Sequence, residues 1–343
     1  MMITLGMNYG FAADHLVGAM SRLLHFRGAK HNTLKDLERY YGLTADEMFP
    51  EPLPVRDART KRTLFDRVIK SRTVSWTSTH EVLCPNYRQR HLDAYKRNLT
   101  AHLRWVRPDG RQRDSVLIYV HGWLEPGSWA EEAALFPKWG RELEVDLAHV
   151  ALPFHGPRKP RSALFSGEFF WTADMVRSAE AVRQAVHDVR ASVAWLRGQG
   201  YAQVGVTGLS LGGAVTMLTA CVDPTPDYIA PIVAHLQLAD AVETAPILWR
   251  VKKDLKDWGY DEPARREIMT NLGWPDYRPR LAPERQLWVQ ARSDVYMDPK
   301  LVERQWSDWG EPPILWIDGG HMTFAMHMSA ITDRINSFRR QLD

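Results

Sequence analysis

The apolar positions along the chain follow two alternating rhythms. SVLIYV, residues 115 to 120, is a continuous apolar run of strand length, the pattern of a strand covered on both faces. LAHVALP, QVGVTG, PIVAHLQLA, QLWVQA and PILWID repeat that signature further along. Helical spacing separates these runs. In SAEAVRQAVHDVRASVAWLRGQGY, Val182, Val186, Val189, Val193 and Leu196 recur every three or four residues and fall on one stripe, and Gly198 and Gly200 supply stop signals. Strands alternating with helices predict a mostly parallel sheet with helices on both faces. RTVSWTST and NLTAHLRWV alternate polar and apolar residues instead, as half-buried antiparallel edge strands do.

Before residue 72 the pattern is helical or irregular. FAADHLVGAMSRLLHF puts Leu16, Met20, Leu23 and Leu24 on one face of a helix. Such a face can lie on a membrane surface, a peripheral contact; packing against the rest of the chain is its expected use. MFPEPLPVRDA is proline-rich and reads as a linker or a wrap. The chain thus divides into an N-terminal helical extension, residues 1–71, and a main domain, residues 72–343.

Composition narrows the classes without choosing among them. A chain of 343 residues, 45% hydrophobic and 25% charged, is an ordinary globular one, with room for a large core. The net charge of +3 is too small to point to nucleic acid. Cys84 and Cys221 lie far apart without metal spacing and read as free thiols in a reducing compartment. The N-terminus lacks a signal-peptide pattern, and no run approaches the ~18 to 20 apolar residues of a membrane span. The expectation is a soluble, cytoplasmic protein with no membrane span; its oligomeric state is not legible. The 14 tryptophans are read as core or pocket lining.

The chemistry concentrates in VGVTGLSLGGAV, residues 204 to 215. A parallel strand that turns directly into a helix strains its turning residue, and small neighbours let strand and helix approach. Gly208 and Gly212 flank Ser210 in G-x-S-x-G spacing, which exposes the hydroxyl at the sheet's carboxyl edge. The Leu211 amide then sits at a helix N-terminus, where it can donate to a developing oxyanion. A phosphate loop is disfavoured, because no Lys-Ser/Thr follows the glycines and G-x-G-x-x-G is missing. Asp294 lies just past the strand in QLWVQARSD, and His321 just past the strand in PILWIDGGH. A serine hydroxyl needs an imidazole to take its proton, and the imidazole needs a carboxylate to fix its tautomer.

From about residue 72 onward the chain resembles the α/β-hydrolase superfamily, in its serine esterase and lipase-like branches. VHGW at 120 to 123 is similar to that superfamily's oxyanion loop, GLSLGG to its nucleophile elbow, ARSD to its acid loop and GGH to its histidine loop. The resemblance implies an α/β-hydrolase fold, an eight-stranded-type, mostly parallel sheet with helices on both faces. It also implies Ser210 as nucleophile, His321 as general base and Asp294 as orienting acid, with Asp240 and Asp298 as rivals for the last role. Oxyanion donors would be the amides of Leu211 and Trp123, with Leu124 the alternative. His121 is expected to hold its loop rather than take part in chemistry.

Cap-like insertions are expected at about 154–174 and 241–283. Their aromatic residues suggest an apolar acyl or aryl pocket, with Leu124, Phe154 and His155 as candidate substrate contacts; His155 could equally brace its loop. No feature asks for a cofactor or a metal ion, and H-E-x-x-H is missing. The resulting expectation is hydrolysis of a small-molecule or lipid carboxylic ester through an acyl-enzyme. Acyl transfer or peptide cleavage with the same triad is an alternative, and so is a binding protein on a hydrolase scaffold.

Overall fold

The continuous apolar runs form the parallel part of one sheet, from its middle to one edge. A computed structural model describes residues 2–62, 66–67 and 70–342. The strands are β1 (Arg59–Lys61), β2 (Ser71–Thr77), β3 (Thr100–Val106), β4 (Ser115–Val120), β5 (Asp146–Val150), β6 (Gln203–Leu209), β7 (Tyr228–Ile232), β8 (Trp288–Ala291) and β9 (Ile314–Ile317). They lie in the order β1-β2-β3-β5-β4-β6-β7-β8-β9. Pairing is antiparallel from β1 to β5 in that order and parallel from β5 to β9. The sheet has nine strands rather than eight. β1 is the strand the pattern gives no hint of, since its three residues are all exposed and none is apolar.

The longer helices that matter here are α1 (Met2–Leu24), α2 (Phe136–Glu142), α3 (Met175–Gly198), α4 (Leu211–Val222), α5 (Leu238–Thr244), α6 (Trp249–Asp257), α7 (Glu262–Thr270), α8 (Pro299–Asp308) and α9 (Met328–Arg339). Side chains alternate across a strand, so β4 serves two cores. Val116, Ile118 and Val120 join α3 and α4 on one face, while Leu117 and Tyr119 join α2 and α9 on the other. From β4 the chain makes β5 on one side, then crosses back to make β6 on the other. That reversal opens a crevice beyond the carboxyl ends of β4 and β6.

α3 is amphipathic in sequence, yet its polar face is buried as well. The segment after α1 covers it. Arg183 donates to the Met48 and Glu81 carbonyls, Arg190 to those of Phe49 and Pro50, and the Tyr40 hydroxyl donates to Glu180. Within residues 241–283, most of α5 and all of α6 and α7 stand in sequence between β7 and β8.

α1 reverses the packing read from its sequence. Leu16, Met20, Leu23 and Leu24 face outward and are exposed, while Gly10, Asp14, Gly18 and Ser21 face inward. The inner face is small because the helix lies flush on the backbone. A Cβ at Gly10 would overlap the Gly320 amide nitrogen, and one at Gly18 would collide with Pro246. No helix among the described residues is long and apolar enough to cross a membrane.

Candidate active site

Ser210 occupies the turn between β6 and α4 with φ +54° and ψ −114°, a conformation that costs a non-glycine residue free energy. The two glycines make the turn sterically feasible. A Cβ at Gly208 would overlap the Gly212 carbonyl, and one at Gly212 would overlap the Val120 carbonyl. Ser210 therefore stands at the strand end with its hydroxyl toward the crevice, and its amide donates to Ile232 O of the neighbouring strand.

His321 and Asp294, from the loops after β9 and β8, meet it there. The Ser210 hydroxyl lies 2.8 Å from His321 Nε2, and His321 Nδ1 lies 2.7 Å from Asp294 Oδ2. With Nδ1–H donating to the carboxylate, Nε2 is left to accept from the serine. Asp294 is in turn fixed through Oδ1, which accepts from the amides of Tyr296 and Met297, both at 2.8 Å. Burial on its own would lower the His321 pKa; the charge and hydrogen bond of Asp294, with the charge of Asp14, outweigh it and hold the imidazole above its ordinary value. The two rival carboxylates have other partners: Asp240 pairs with Arg266 at 2.6 Å, and Asp298 caps α8 by accepting from the Lys300 amide.

The loop after β4 is braced from below. His121 accepts from the Leu152 amide at Nε2 and holds the Gly122 carbonyl through Nδ1. Its ring stacks on His149, which bonds Glu125 at 2.6 Å. His121, Glu125 and His149 bring three potential ligand atoms within 4.8 Å of one another. Both His121 nitrogens, His149 Nε2 and a Glu125 carboxylate oxygen take part in hydrogen bonds that brace the loop. Burial pushes the Glu125 carboxyl up to about 7.

A cavity of about 390 Å³ opens beside Ser210 and His321. Trp123, Leu124 and Leu211 line it, and so do Trp171, Leu248 and Trp274 from the two expected insertions. Phe154 and His155, expected at the substrate, are not part of its lining. Phe154 is packed under the loop against Tyr95 and Phe169, and its amide donates to Asn98. His155 is fully buried and accepts from the Leu124 amide at 3.3 Å. That bond engages the very amide considered as an alternative oxyanion donor.

Asp14 was invisible to sequence reasoning. Its carboxylate accepts from the amides of His321 and Met322, both at 2.7 Å, and of Val295 at 3.3 Å. The Tyr296 hydroxyl donates to the Asp14 carbonyl. The one available signal was an acidic residue on the otherwise small face of α1.

Comparison with known proteins bears on the fold. The family described as alpha/beta hydrolase domain containing 18 matches residues 144–262, a stretch that includes Ser210 but ends before Asp294. The uncharacterized proteins MT2702 and Rv2627c of two Mycobacterium tuberculosis strains are 31% identical over 225 residues, 61% of this chain and 50% of theirs. The chain thus spans about half the length of these curated relatives. Among solved structures, an acetyl xylan esterase from Paenibacillus sp. R4 superposes with a TM-score of 0.59 at 13% identity, covering 91% of this chain and 96% of its own. Acetyl xylan esterase 1 from Thermoanaerobacterium sp. JW/SL YS485 gives 0.56 at 12%, covering 91% and 98%. By its sheet order and these likenesses, the chain has an α/β-hydrolase fold, a mostly parallel sheet with helices on both faces.

Proposed function

We propose that the protein is a serine hydrolase that cleaves carboxylic esters through an acyl-enzyme. The observation that carries this reading is the unbroken hydrogen-bonded chain from Ser210 through His321 to Asp294. As Ser210 Oγ attacks the acyl carbon, His321 Nε2 takes its proton and Asp294 stabilises the resulting imidazolium. The carbonyl oxygen becomes an oxyanion facing the amides of Leu211 and Trp123. The Leu211 amide belongs to the first turn of α4, whose N–H groups have no carbonyl partner within the helix. On collapse the imidazolium gives its proton to the departing alkoxide, which leaves as the alcohol. Water, deprotonated by His321, then attacks the acyl-enzyme, releasing the carboxylic acid and restoring Ser210.

The apolar lining favours an acyl or aryl group over a charged one, and the two structural neighbours named as acetyl xylan esterases are in keeping with ester chemistry. Turnover of p-nitrophenyl esters graded in acyl length tests the reading. Wild type should hydrolyse at least one of them, and Ser210→Ala should lose at least about 10³-fold while remaining folded. Equal rates for the two proteins would refute it.

A further inference from the structure

We propose that Asp14, carried by the N-terminal helix, is a positioning residue that holds the acid loop and the histidine loop in reacting register. The inference rests on the hydrolase reading for its consequence in catalysis, and on the geometry alone for its effect on His321. The two loops come from different strands, and the backbone bonding between them stops at Arg292 N to Ile317 O and Ser293 N to Gly319 O, short of Asp294 and His321. Beyond that point one carboxylate ties their main chains, because Asp14 accepts from Val295, next to Asp294, and from both His321 and Met322. The His321 amide is buried and needs an acceptor, the other two are part-buried, and a charged acceptor makes such bonds about twice as strong as a neutral one.

The fit depends on the whole inner face of α1. Gly10 brings the helix onto the backbone of Gly319 and Gly320, immediately before the base. Val17, one turn further along from Asp14, reaches the cavity wall, so the same helix also borders the substrate space. Two carboxylates then flank one imidazole from different sides: Asp294 on Nδ1 and Asp14 on the main chain. The titratable groups facing Asp14 are Asp294, His321 and the Tyr296 phenol, which donates to Asp14's own carbonyl. Removing the Asp14 charge withdraws support from the imidazolium, and loosening the loop weakens the Asp294 contact. Both changes act in one direction.

Two variants of the full chain separate positioning from folding. Asp14→Asn keeps the shape and removes the charge; Gly10→Ala keeps the charge and lifts the helix off the loop. The His321 pKa, read by NMR titration, should fall in both variants, and the acid limb of kcat/KM should move to lower pH with it. kcat should drop by about 10- to 100-fold with KM nearly unchanged, the size expected for a displaced catalytic group. A residue that merely stabilised the fold would lower Tm and leave the titration of His321 where it is. A wild-type His321 pKa in both folded variants therefore overturns the proposal. If wild type turned over no ester, the hydrolase reading would fail, while the titration would still decide the role of Asp14.

Discussion

Ser210, His321 and Asp294 stand in one hydrogen-bonded line, and on the proposed reading they act as a unit. Their consequences are steep. Asp294→Asn should lower kcat by on the order of 10³- to 10⁴-fold, because the amide favours the wrong imidazole tautomer; steady-state kinetics on the best chromogenic ester would measure it. The base works only when unprotonated, so activity is lost as pH falls through the His321 pKa. That pKa is raised, and the acid limb of kcat/KM should therefore lie above the ordinary imidazole value of 6.5. A limb at or below 6.5 would contradict the pairing with Asp294. Phe154 and His155 were misplaced because an aromatic and an imidazole beside a motif loop look the same whether they face the substrate or support the loop from beneath. The burial of Phe154 and the hydrogen bond from its backbone N–H to Asn98 Oδ1 place it in the second group. Asp14 was illegible for another reason: its partners are backbone amides some three hundred positions away, and no side-chain pattern records them.

Two helices show what periodicity leaves out. An apolar stripe says that a face is suited to burial, not that a partner exists for it. In α1 the close approach permitted by Gly10 and Gly18, with a satisfied carboxylate between them, decided the packing, and Leu16, Met20, Leu23 and Leu24 were left outside. In α3 the apolar stripe met the sheet as expected, but the preceding segment covered the polar face too, so its charges became internal. Glu180 is the clearest case. Burial opposes its ionisation, but His80, Arg183 and the Tyr40 hydroxyl outweigh it and hold the carboxyl down to about 2. A depressed carboxyl contributes stability above its unfolded value near 4.5, and that contribution is lost as pH falls toward 2. Glu180→Ala, which leaves Arg183 buried without its partner, should cost about 3–5 kcal/mol in chemical denaturation at neutral pH. A loss below about 1 kcal/mol would mean that the network contributes little.

The parallel half of the sheet follows from a few continuous apolar runs that were plain in the sequence, although PIVAHLQLA meets β7 only at Pro231 and Ile232. β4 to β9 are parallel strands, buried except at the half-buried β9 edge, whose order reverses at β4, and the crevice at that reversal receives Ser210, His321 and the cavity together. β1 escaped notice because an exposed edge strand needs no apolar residue. The part played by the N-terminal extension also escaped, since a wrap over α3 and a clamp on two loops leave no local signature. The account stands on a hydroxyl activated for attack at position 210. Incubating folded protein with a fluorophosphonate probe and mapping the adduct by peptide mass spectrometry tests this most directly. The account predicts a single adduct on Ser210 that forms at least about 10³-fold more slowly in His321→Ala. An unmodified Ser210 in folded wild type, or an equal rate in the two proteins, would contradict it.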